Sequence, residues 1–153
     1  MKFELKSLSL EAMPKALAKA ERYRLLNEPR EAESICLDVL EREPDNQDAL
    51  KTLLLALTDQ FGKEAAPYAP LTIAEASQIA ARLRDEYDRA YYTGIIYERR
   101  AKANLEDGPR AFEWLKEAMS WYEKAEALRP PTNDDAVLRW NTCARLIMRN
   151  WGT

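Results

Sequence analysis

Residues 13–46 read MPKALAKAERYRLLNEPREAESICLDVLEREPDN, and the spacing within them sets the architecture. Ala16, Ala20, Tyr23 and Leu26 recur at helical intervals behind Pro14, a residue favoured in a first turn because its missing N–H costs nothing there. Asn27 stops this helix. Pro29 opens a second, whose apolar stripe is Ala32, Ile35, Cys36, Val39 and Leu40. Pro44 ends it, since proline cannot continue a helix and disfavours helical geometry in the residue before it. Two short amphipathic helices joined by a tight turn form a hairpin that cannot bury its apolar side alone. Such a hairpin gains stability by stacking on others.

The same theme runs outward toward the C-terminus. Asp45 is the expected N-cap of a third helix with the stripe Leu50, Leu53, Leu54, Leu57 and Phe61. Residues 62–71, with Pro67 and Pro70, read as a loop longer than a simple helix–helix turn. Thr72 with Glu75 predicts a capping box for a fourth helix through Ile79 and Leu83. A fifth helix is expected from Asp88 to Leu105, before the turn signal Asp107-Gly108-Pro109. The sixth runs from Pro109 to Leu128 with Trp114, Ala118, Trp121, Ala125 and Leu128 as its expected core stripe. Pro130-Pro131 stops it, and a seventh spans 134–150 with Leu138, Trp140, Ala144 and Ile147. Seven helices and no strand predict an all-α fold.

The small residue, aromatic and proline of residues 13–46, namely Ala20, Tyr23, Ala32 and Pro44, resemble the tetratricopeptide repeat, a 34-residue helix–turn–helix unit. Residues 47–86 are similar to a second unit interrupted by the 62–71 insertion, with Leu54 where the family prefers a small side chain. Residues 87–131 resemble a third, longer unit, with Gly94, Tyr97 and the ending YEKAEALRP at 122–130. Residues 134–150 then resemble a solitary capping helix, and residues 1–12 form an N-terminal arm in which Phe3, Leu5, Leu8 and Leu10 alternate loosely. The resemblance implies a single domain built as a right-handed α-α superhelix of stacked hairpins.

Composition narrows the chemistry. The chain has 153 residues and a net charge of −3, with 46% apolar and 32% charged side chains, a helix-rich balance suited to one domain. Histidine is absent, which removes Ser–His–Asp and Cys–His nucleophile systems and histidine metal sites. No glycine-rich phosphate loop occurs. The cysteines, Cys36 and Cys143, fall at apolar helix positions, outside any C-x-x-C pair, and are expected as buried free thiols. No enzyme activity, cofactor or metal is therefore expected. No apolar run approaches the roughly 20 residues needed to span a bilayer, and no secretory leader is recognisable, so the expected location is the cytoplasm, without membrane contact.

Charge is uneven. Residues 1–25 hold six basic and three acidic side chains, residues 26–50 two basic and eight acidic ones. Tyr97-Glu98-Arg99-Arg100 with Lys102 sets an aromatic beside basic groups. Adjacent carboxylates and the acidic total give no electrostatic case for nucleic acid.

In the resembled family, the first helix of each pair lines a groove that holds another protein. Carried over by position, this implies a groove of Leu17, Glu21 and Arg24, then Lys51 and Leu55, then Tyr91, Ile95 and Glu98, with Asn141 and Arg145 on the cap. Such a mixed surface suits a peptide or helix of a partner protein. The family's chaperone-tail clamp is not matched, because Leu17, Glu21, Thr52, Asp88 and Tyr92 stand at its positions. The alternative is a self-assembling structural subunit, with the N-terminal arm or exposed aromatics as the interface. Monomer and homodimer both fit the sequence.

Overall fold

The computed structural model describes residues 1–63 and 69–152. Residues 1–9 carry no regular structure and lead through a 3-10 turn, Leu10–Ala12, into α1, Met13–Leu25. The helices that follow are α2 (Pro29–Arg42), α3 (Gln47–Asp59), α4 (Ala69–Ala81), α5 (Glu86–Ala103), α6 (Pro109–Leu128) and α7 (Asp135–Trp151). The described residues form seven α-helices and no strand, as the periodicity predicts.

Local chemistry explains the boundaries. Asn27 takes a left-handed φ of 62°, and the following Glu28 N–H reaches back to the Tyr23 carbonyl at 2.8 Å, closing the end of α1 in the manner favoured by asparagine. Pro29 stands first in α2. The cap of α3 is Asn46, one residue beyond the expected Asp45: its Oδ1 accepts from Ala49 N at 2.9 Å. α5 starts earlier than expected, because the Asp85 carboxylate accepts from the Tyr87 amide and two further acidic groups favour the first turn. Gly108, at φ 48°, makes the turn that admits Pro109 as the first residue of α6.

Further expectations are corrected. α4 begins at Ala69, so Thr72 sits inside the helix rather than capping it, and Pro70 belongs to its first turn, where proline costs no hydrogen bond. The expected 62–71 loop is thereby shortened from its C-terminal side, while its residues 64–68 lie outside the described part. In α6 the core stripe is Ala111, Leu115, Ala118, Tyr122 and Ala125, all fully buried. Trp114 and Trp121 are half-buried at the edge, and Leu128 is exposed. Cations sit on the indoles, Arg100 over Trp114 and Lys124 over Trp121, each 4.1 Å from the ring centre.

Consecutive helices pack on one another along the whole chain, and α3 also touches both α1 and α5. One apolar cluster joins α1 through α5 around Leu50, Leu54 and Leu83, and a second joins α5, α6 and α7 around Tyr122 and Leu115. A small third cluster, Met13, Val39 and Ala49, receives Leu8 from the arm. Ala20, Ala32, Ala118 and Ala125 are fully buried at these junctions. Side chains this short let the helix axes approach closely.

Candidate functional site

The residues singled out by position fall into two groups. On α1, α3 and α5 the first group is knitted by ion pairs. Arg24 donates from Nε to Asp59 Oδ2 at 2.6 Å and from Nη2 to Oδ1 at 3.3 Å. Arg99 pairs with the same carboxylate and also reaches Thr58 Oγ1 at 3.4 Å. One carboxylate on α3 therefore joins guanidinium groups from the helices on either side. Lys51 on α3 makes a second bridge, to Asp88 on α5 at 3.0 Å. Leu17 is half-buried against the small cluster below α1, and Leu55 half-buried against the α5–α7 core. Glu21 stands exposed.

The second group meets where α5, α6 and α7 come together. Glu98 is only 1% exposed. Its Oε1 accepts from the Tyr122 hydroxyl at 2.7 Å, and its Oε2 accepts from Lys102 and, at 3.2 Å, from Arg139. Burial pushes the Glu98 carboxyl upward, but Arg139, Lys102 and the Tyr122 hydroxyl outweigh it and hold the group below its usual range. Burial and the neighbouring carboxylate both push the Tyr122 phenol up, so it stays a donor. Ile95, also predicted for the groove, is buried at 2% in the same core. Tyr91 is half-buried in a ring cluster, stacked on Tyr87 at 5.7 Å and edge-on to Tyr92 at 5.2 Å. Asn141 is half-buried and Arg145 exposed.

Thus the structure places Ile95 and Glu98 inside, where they fix α5 against α6 and α7, and leaves Glu21 and Arg145 at the surface, with Leu17, Arg24, Lys51, Leu55, Tyr91 and Asn141 between. Sequence reasoning missed Asp59, Arg99 and Arg139. Their partners lie between 35 and 41 residues away, and no local pattern announces such pairs.

These groups make ion pairs, hydrogen bonds and apolar packing between helices. Burial raises both thiols to about 12, with the Glu33 carboxylate adding to the shift at Cys36 and Glu98 to that at Cys143, so each is a protonated apolar side chain rather than a nucleophile. Among the described residues, no three Cys, Asp or Glu side chains cluster so as to hold a metal ion, and no helix is long and apolar enough to cross a membrane. Compared with family models, curated proteins and solved structures, the chain matches none.

Proposed function

We propose that the chain is a tetratricopeptide-like, non-catalytic interaction module of the cytoplasm that holds a peptide or helix of a partner protein along the face of α1, α3, α5 and α7. The observation that carries this reading is the placement of α3 between α1 and α5, tied to both through Asp59 and, by Lys51–Asp88, again to α5. In a right-handed stack of hairpins the first helices lie side by side in this way, with their hairpin partners behind them. Ion pairs made before any ligand arrives reduce the ordering cost of binding.

In this reading Glu21, Leu17, Lys51, Asn141 and Arg145 meet the partner, and Ile95 and Glu98 support the helices beneath it. The double variant Glu21→Lys/Arg145→Glu tests it, because both side chains are exposed and their reversal leaves the core untouched. Affinity capture followed by mass spectrometry should return a partner with the parent protein and lose it with the variant, at unchanged melting temperature. Undiminished capture by the variant would move the binding surface elsewhere.

A further inference from the structure

Among the described residues, the N-terminal arm and the groove between α2 and α4 are complementary surfaces that do not meet each other within one chain. Phe3 is 80% exposed and Leu5 86% exposed. Residues two apart in an extended segment point the same way, so the two side chains make one apolar edge, with Lys2, Glu4 and Lys6 on the other. Among the described residues, the arm is anchored at its base, where Leu8 packs on the Met13–Val39–Ala49 cluster and its carbonyl accepts from Arg42. Seven residues beyond that anchor span about 23 Å when extended.

The groove encloses about 350 Å³ between Leu37 and Leu40 of α2, Leu53 of α3 and Ile79 of α4. Leu37 stands 51% exposed at its lip. Glu41 and Glu75 line the rim. Arg82 also lines it, and its guanidinium donates to the Pro44 carbonyl. The arm brings two basic side chains, Lys2 and Lys6, against the single carboxylate of Glu4, while residues 26–50, which include α2, carry eight acidic groups against two basic ones. Apolar edge thus matches apolar floor, and basic arm matches acidic rim.

We propose that the arm of one copy lies in the α2–α4 groove of a second copy, with Phe3 and Leu5 on its floor and the long Lys2 and Lys6 side chains curling from the opposite edge toward the carboxylates of its rim. Because every chain owns both an arm and a groove, a two-fold pair makes the contact twice and closes as a homodimer. This contact uses a face other than the α1–α3–α5 face. Its failure is therefore distinguishable from failure of the partner-binding reading.

Light scattering on the full chain across a range of concentrations is the test. The parent protein should pass from monomer to dimer, with dimerisation weakened by added salt. Phe3→Asp/Leu5→Asp should weaken self-association at least about a hundredfold, as expected for two apolar side chains barred from burial, and Leu37→Glu should weaken it as well. Both sets of side chains are exposed, so circular dichroism should stay unchanged. A mixture of the arm variant with the groove variant keeps one intact arm and one intact groove, and should recover a dimer that neither forms alone. A parent protein that stays monomeric at high micromolar concentration, a dimer untouched by either variant, or a mixture that fails to dimerise would each overturn the proposal.

Discussion

Gly94 on α5 lies against the ring of Tyr122 on α6: a Cβ added to the glycine would fall 2.5 Å from Tyr122 Cε1 and 2.8 Å from Cδ1. Glycine inside a helix ordinarily costs about 0.5–1 kcal/mol relative to alanine. Here that cost is offset by the close approach of α5 and α6 around a fully buried ring. Gly94→Ala should therefore destabilise the protein despite its better helix propensity, by about 1–3 kcal/mol of overpacking. Urea unfolding measures this. In a Tyr122→Leu background the penalty of the added methyl should vanish, and its persistence there would place the clash elsewhere.

Glu98 gives the fold an acid-sensitive joint. Its folded-state pKa lies below the ordinary 4.5, so the native state binds fewer protons than the unfolded chain as the pH falls. The stability it contributes is present above about pH 4.5 and is lost progressively as the pH drops through the folded-state value. Glu98→Gln removes that dependence and leaves Arg139, Lys102 and the Tyr122 hydroxyl without their anion. It should cost about 1–3 kcal/mol at neutral pH, and the gap from the parent protein should close in acid. A pH series of urea midpoints with parallel slopes for the two proteins would remove Glu98 from this role.

Cys36 and Cys143 are fully buried, free and raised to about 12 by that burial and the acidic groups beside them. Neither thiol should react with a colorimetric disulfide reagent at pH 8 while the protein is folded, and both should react at once in denaturant. Fast labelling of one thiol in the native protein would mean that the helix covering it opens readily.

How far the sequence could be read depended on whether its signals were local. Pro29 and Pro109 open their helices at the expected residues because a missing N–H acts on the residues beside it. Asp45 and Asn46 are adjacent and equally able to cap, so the choice between them was made by geometry. In α6 the expected stripe and the observed one share Ala118 and Ala125 and have the same spacing of four and three. They differ by a rotation of about 60° around the helix axis, which places Leu115 and Tyr122 inside and Trp114 and Trp121 at the edge, beneath cations. Size favours the indoles as core, but their surroundings decide. Position along the helices singled out Arg24, Lys51 and Glu98, yet nothing local foretold their partners Asp59, Asp88 and Arg139.

Asp59 offers the sharpest test of how α1, α3 and α5 are held. Its two oxygens pair with Arg24 and Arg99, and the three side chains are each about one-fifth exposed. Removing the carboxylate does more than delete two ion pairs, because it leaves two guanidinium groups facing each other across α3. Asp59→Ala should cost about 2–3 kcal/mol, and part of this should be recovered in high salt as the remaining repulsion is screened. Arg24→Ala alone should destabilise by about 1 kcal/mol, the lower side of the range for a charged hydrogen-bonded pair with partial solvent access. Combined with Asp59→Ala, the same substitution should become neutral or stabilising, since it then relieves like charge rather than breaking a pair. Should Arg24→Ala cost as much without Asp59 as with it, the three residues act independently and the helices must be held in register by their apolar contacts alone.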